Sequence, residues 1–183
     1  MATIKPLVPE TSSPEERRIG DIIFTDRGEE YGGPSAIMIK VPEYAERFDQ
    51  LRQFLVRGST LPRPLQQIAI LVVVRKSMAQ YAWQVRVNTS RELGIAEQVI
   101  EAIRDGSRPN FDDQDHAAIY DYVTELLDTN RVTEDTHARV QDFLGEAGLI
   151  ELVGLVGLYA ALALQCNAFE PPLMVDGPAP LPE

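Results

Sequence analysis

The sequence predicts an all-α, single-domain protein, and three observations carry that prediction. Residues 61–94 (LPRPLQQIAILVVVRKSMAQYAWQVRVNTSRELG) open on Pro62 and Pro64, close on Gly94, and hold no glycine or proline between Pro64 and Gly94. Proline is tolerated in a first helical turn and glycine follows a last one, so this stretch runs as one long helix or two joined ones. Residues 42–57 place Tyr44, Phe48, Leu51 and Leu55 four and three positions apart, which is one face of an amphipathic helix. Residues 148–169 are the most apolar stretch and read as a buried helix. At 183 residues the chain is long enough to bury one sizeable core, and no second domain is implied.

In order along the chain, residues 1–18 carry prolines and charges and no apolar core of signal-peptide type, so they read as a flexible lead. The single cysteine cannot form an internal disulfide, which together with that lead fits a cytoplasmic protein. Residues 19–170 read as the domain, and 171–183 as a proline-rich tail. Asp26-Arg27-Gly28 and Gly32-Gly33-Pro34 are turn chemistry around a short apolar piece, giving a loop with one helical turn. In the helix that follows, Gly58 provides the stop, and Arg47, Asp49 and Arg52 fall on its solvated face.

The run IAILVVV at 68–74 also suits a doubly buried strand. Its flanks decide for helix, because RKSMAQYAWQVRV continues without a turn residue. Ser77 with Gln80 three positions later has capping-box spacing, so a kink or second helix start is expected near Ser77. If the helix is continuous, Arg75, Ala79, Ala82 and Arg86 share one face. Residues 95–103 form a short amphipathic helix stopped by Asp105-Gly106, and Asp112 or Asp113 caps the next, with Ile119, Tyr122, Val123 and Leu126 inward. Thr133 caps the helix after that. Within 148–169, Glu151 and Gln165 bracket an uninterrupted apolar run shorter than the ~18 residues of a membrane span. Gly154, Gly157, Ala160 and Ala161 form a stripe where another helix can approach closely.

Seventeen Lys and Arg against 28 Asp and Glu give a formal charge of −11. That balance repels phosphate backbones and anionic bilayers, so no nucleic-acid or membrane partner is expected. His116 and His137 stand in charged surroundings near helix starts and read as solvated. No HxxxH, HxxE or Cys/His cluster supports a metal site, and no cofactor is implied.

LPRPLQQIAIL followed by QYAWQVRVNTSRELGI resembles the carboxymuconolactone decarboxylase and alkylhydroperoxidase D-like family, whose members carry a proline-led "REL-AIL" helix and then a "YEW-x-x-H" or CxxC helix. GGPSAIMIKVPEYAERFDQLRQFLVRGSTLP resembles the family's lead-in helix, and TELLDTNRVTEDTHARVQDFLGEAGLIELVGLVGLYAALALQCNAFEPP the closing helices of its longer decarboxylase-like members, so together the likeness covers most of the chain from Gly32 to Pro172. The resemblance implies the helical alkylhydroperoxidase D-like fold, assembled as a homotrimer or homohexamer. The family's peroxidase motif is Glu-x11-Cys-x2-Cys-x3-His; laid on this sequence it falls on Gln67, Ala79, Ala82 and Arg86, none of which supplies the original group. A disulfide-cycling peroxidase needs a thiolate and a resolving thiol, and the lone Cys166 lies far off in an apolar segment. Ala82 also replaces the glutamate of "YEW", and Val85 and Arg86 stand where a histidine pair often sits.

What the resemblance then implies is a protein acting on a small carboxylated or lactone-like metabolite, of lyase or isomerase type and without thiol redox chemistry. The alternative is a catalytically inactive member serving as a small-molecule-binding or accessory protein. For catalysis the candidates are Arg86 as anion holder, with Tyr81 and Gln67 as hydrogen-bonding groups. For substrate binding they are Arg75, Trp83, Asn167 and Tyr31. Each has a plainer reading beside it: a structural ion pair for the arginines, packing for Tyr81, Trp83, Tyr31 and Met38, and helix capping for Asn167.

Overall fold

Ten consecutive residues of one helix, Leu65 through Val74, are buried, Gln66 and Gln67 among them. A helix so enclosed must be surrounded on every side, and the rest of the chain supplies that surround. The computed structural model describes residues 11–27, 32–174 and 176–182, which contain no strand. The helices are α1 (Pro14–Arg27), α2 (Gly33–Met38), α3 (Pro42–Gln53), α4 (Arg63–Lys76), α5 (Gln80–Glu92), α6 (Glu97–Arg104), α7 (Gln114–Thr129) and α8 (Glu134–Phe169). The central helix is α4, packed mainly against α7, α8 and α5. A smaller cluster of Ile19, Ile23, Phe24, Ala36, Met38, Ile39 and Ala45 joins α1, α2 and α3, with Phe48 and Leu162 bridging to the main core.

The N-terminal region is more helical than expected. Residues 14–27 form α1, where the sequence reading placed the end of a flexible lead and a loop. The cause is a capping box: Ser13 N–H donates to Glu16 Oε2 at 2.7 Å and Glu16 N–H donates to Ser13 Oγ at 3.2 Å, with Pro14 in the first turn. Ile19 and Ile23 then share the buried face. Met38 is part of this cluster, as its packing reading requires.

Helix α3 is turned relative to the expected face. Leu51 and Tyr44 are exposed, whereas Ala45 and Asp49 are buried. The helix runs on into a π-helical turn, Phe54–Gly58, in which Leu55 and Val56 face the core. Leu55 packs on α8 where Gly154 leaves room: a Cβ there would lie 3.4 Å from Leu55 Cδ2.

Helices α4 and α5 are separate. Met78 adopts φ 52°, and Ala79, in place of Ser77, is the residue preceding α5. The capping box expected from Ser77 and Gln80 does not form; Ser77 instead ends α4, and its carbonyl accepts a hydrogen bond from Asn167 Nδ2 at 2.6 Å. Asp113 caps α7, accepting from the N–H groups of Asp115 at 2.8 Å and His116 at 3.2 Å. Helix α8 bends at Gly145, whose φ of 69° lies outside the helical range. By length and composition α8 would suffice to cross a membrane, and its Leu152, Leu155, Tyr159 and Ala163 are buried against the protein.

The segment after α8 is extended, and it is docked along α5. Gln84 Oε1 accepts from Met174 N–H at 2.9 Å, Trp83 Nε1 donates to Ala179 O at 3.1 Å, and Gln80 pairs both ways with the Leu181 backbone at 3.0 and 2.8 Å. Leu181 is 3% exposed and belongs to the main core.

Candidate functional site

The break at Met78 decides which side chains meet. Beyond it, α5 presents Tyr81, Ala82, Val85 and Arg86 to a cavity of about 330 Å3, closed by α2, α3, α8 and the docked tail. These residues are three and four apart, so they lie on one helical face. Opposite them stand Pro34 and Ser35 from α2, Phe48 and Arg52 from α3, Tyr159 and Leu162 from α8, and Met174 from the tail.

Arg86 carries the charge of the site. Its guanidinium carbon lies 5.1 Å from the centroid of the Tyr159 ring, a cation–π distance that holds a half-buried cation without neutralising it. No carboxylate among the described residues forms an ion pair with Arg86.

Arg52 is a second cation, and one the sequence reading put on a solvated face. Its side chain is 12% exposed, and Asp49 beside it 4%. Arg52 Nε donates to Asp49 Oδ1 at 2.7 Å, and Gln53 Nε2 donates to Asp49 Oδ2 at 2.8 Å. The pair can be buried because each charge offsets the other. Arg52 Nη2, also buried, has no hydrogen-bond partner among the described residues.

Tyr81 is held against Gly33. A Cβ on Gly33 would lie 2.7 Å from Tyr81 Cζ and 2.8 Å from Cε1, so the phenol occupies space that only glycine leaves, and Gly33 also has φ 60°.

The other candidate residues lie elsewhere. Arg75 does not share a face with Arg86, because α4 ends between them. Its Nε donates to Arg104 O at 2.6 Å and it lines a separate cavity with Lys76, Gly106, Tyr120 and Asp128. Trp83 is 1% exposed and ties the tail to α5 through its indole N–H. Asn167 holds the α4–α5 turn and lines a groove with Met78, Gln80, Tyr81 and Cys166, so only Tyr81 is shared with the Arg86 cavity. Gln67 is fully buried, and neither its Oε1 nor its Nε2 has a partner among the described residues. Tyr31 lies outside the described residues.

Burial pushes the Cys166 thiol up to about 12, so it stays protonated at neutral pH. The described residues lining the Arg86 cavity include no carboxylate, imidazole or thiol. What they can do is bind an anion through guanidinium N–H groups, pack an apolar body against Pro34, Phe48, Val85 and Leu162, and offer phenol hydrogen bonds from Tyr81 and Tyr159. Sequence reasoning missed Arg52, Tyr159 and Met174. For Arg52 a signal existed, since Asp49 three positions earlier is ion-pair spacing. A lone tyrosine in an apolar helix and a methionine in a tail carry no such signal.

No protein-family model matches this sequence, and no curated protein matches it. Solved structures do resemble it. An uncharacterized peroxidase-related protein from Silicibacter sp. TM1040 superposes with a TM-score of 0.74 at 14% identity, covering 98% of this chain and 96% of that one. A cysteine-to-alanine variant of the debrominase Bmp8 in complex with 2,3,4-tribromopyrrole gives a TM-score of 0.74 at 13% identity, covering 96% of this chain and 93% of its own. The apo debrominase gives 0.72 at 13% identity, covering 94% and 92%. At such identities the likeness is one of fold, and it agrees with the all-helical, alkylhydroperoxidase D-like architecture expected from the sequence.

Proposed function

We propose that this protein takes a small carboxylated or lactone-like metabolite into the cavity between α3, α5 and α8, and acts on it as a lyase or isomerase without thiol redox chemistry. The observation that carries this reading is Arg86: a cation on the cavity wall, stacked on Tyr159 and without a carboxylate partner among the described residues. A charge kept in a half-buried site without a counter-ion has a use when a ligand brings the anion. Decarboxylation or lactone isomerisation would then proceed by positioning and electrostatic stabilisation of developing negative charge, with Tyr81 as hydrogen-bond donor.

A second reading is favoured by a specific feature. The described lining of the cavity has no group that titrates near neutral pH, as expected of a binding or accessory protein that keeps the pocket without the chemistry. We also propose assembly as a homotrimer or homohexamer. Leu51 in α3, Phe54 in the π-helical turn that follows it, and Ile150 and Val153 on α8 are exposed, and exposed apolar side chains on elements that pack together suit contact with another copy.

Native mass spectrometry of the purified protein, alone and with small acids and lactones including carboxymuconolactone, tests all three points. The expected result is an oligomer that retains one ligand per subunit or returns it lighter by carbon dioxide, with Arg86→Ala abolishing retention. An oligomer that retains a ligand unchanged would select the binding role. A protein that retains no acid or lactone would overturn the small-acid reading, and a monomer would overturn the assembly.

A further inference from the structure

We infer that the cleft between α4, α6 and α7 is a second small-molecule site, with Arg75 as its anion-binding residue, and that it takes a carboxylate borne on a compact apolar body. The cleft shares no lining residue with the Arg86 cavity, and the inference does not rest on the function proposed for that cavity.

The walls come from three helices. Val72, Ile103 and Leu127 supply apolar surface and Tyr120 an aromatic ring, around a volume of about 410 Å3. That falls within the roughly 300–1,000 Å3 of small-molecule sites. The charged lining residues are Arg75, Lys76 and Asp128. Lys76 Nζ is paired with Asp128 Oδ1, whereas Arg75 has no carboxylate partner among the described residues.

Arg75 is held in place with donors to spare. Nε donates to Arg104 O at 2.6 Å, closing the last turn of α6, and Nη1 donates to Met78 Sδ at 2.9 Å. Nη2 lies 3.1 Å from where a Cβ on Gly106 would stand, so the bare glycine lets the guanidinium reach the wall of the cleft. Unlike the enclosed Nη2 of Arg52, this one keeps accessible surface, and it has no acceptor among the described residues. Capping α6 uses Nε alone. The far end of the planar fork stays open, and that end receives both oxygens of a carboxylate. Because Arg104 already fixes the guanidinium plane, little side-chain freedom is lost when the ligand arrives. Val72, Ile103 and Leu127 then cover its apolar body.

The test is isothermal titration of the full chain, at low salt, with benzoate and with benzamide, which has the same ring and no charge. Benzoate is expected to bind about ten-fold more tightly. The Arg86→Gln chain, whose other cavity has lost its cation, should still show this site. Arg75→Gln should weaken it about ten-fold, and Arg75→Lys should recover only part, since an ammonium offers no fork. Asp128 is 53% exposed, so Asp128→Asn probes the site without disturbing the core. Lys76, released from its partner, should then tighten benzoate binding about three-fold, and added salt should cancel the gain. A role confined to capping α6 would move none of these affinities. Absence of benzoate binding in the Arg86→Gln chain, equal binding of benzamide, or affinities indifferent to both Arg75→Gln and Asp128→Asn would overturn the inference and leave the reading of the Arg86 cavity standing.

Discussion

Gly33 and Tyr81 share one volume: the phenol ring of Tyr81 lies where the side chain of any other residue at 33 would begin. The glycine's left-handed backbone, φ 60°, adds a second reason for its identity. Gly33→Ala should therefore displace Tyr81 from the cavity wall and strain the start of α2. The expected cost is about 2–4 kcal/mol, combining backbone strain and overpacking. A melting temperature lowered by ~5–10 °C in calorimetry would agree; an unchanged value would show that α2 gives way to the ring.

Gln67 offers the opposite case, a substitution expected to stabilise. Both amide atoms are buried without partners among the described residues. Gln67→Met keeps the volume and removes the orphaned groups, which should raise stability by ~1–2 kcal/mol in denaturant unfolding. A loss of more than ~1 kcal/mol would mean that the amide is satisfied in solution, for instance by water. Gln67→Glu should show a pH signature. A buried carboxyl without a partner has its pKa raised in the folded state, so its stability deficit is absent in acid and grows as pH rises above ~4.3.

The docked tail can be read out through Trp83, the only tryptophan in the chain. Its indole N–H is bonded to Ala179 and Leu181 is buried close by. Leu181→Ala should cost ~2–3 kcal/mol through the cavity it leaves. Ending the chain at Glu170 should shift Trp83 emission to the red and increase acrylamide quenching. Emission unchanged on truncation would mean that the tail is not docked in solution.

Cys166 gives a prediction at alkaline pH. Its thiol rises from an ordinary 9.0 to about 12 in the fold because of burial. A raised acid keeps its proton in the folded chain while the unfolded chain loses it. The contribution to stability is thus complete below 9.0 and is lost as pH climbs toward about 12. Cys166→Ala should flatten that part of the stability profile, and the native thiol should resist alkylation at pH 8 until the chain is unfolded. Rapid native alkylation would contradict this burial.

Much of the fold was legible because burial wrote itself into long patterns. The leading prolines and turn-free flanks of α4, the spacing of the inward residues of α7 and the apolar composition of α8 are all local features of the sequence. Helix α1 was hidden by the prolines and charges of residues 1–18 and by the turn residues Asp26-Arg27-Gly28, although Ser13 and Glu16 form the capping box that starts it. The site was harder, because it depends on two rotations that no local pattern encodes. One is the turn of α3 that buries Asp49 and Arg52, which charge alone assigns to solvent. The other is the left-handed Met78, which directs Arg75 toward α6 and Arg86 toward α8.

The enclosure of α4 has a consequence for how the molecule breathes. With ten successive residues covered, its amides can meet solvent deuterium only when the surrounding helices come apart together, so they should be the slowest to exchange and report the global opening free energy. None of the residues lining the Arg86 cavity belongs to α4. A ligand seated there would nonetheless slow exchange in α4, since whatever stabilises the folded state against global opening protects its most enclosed segment.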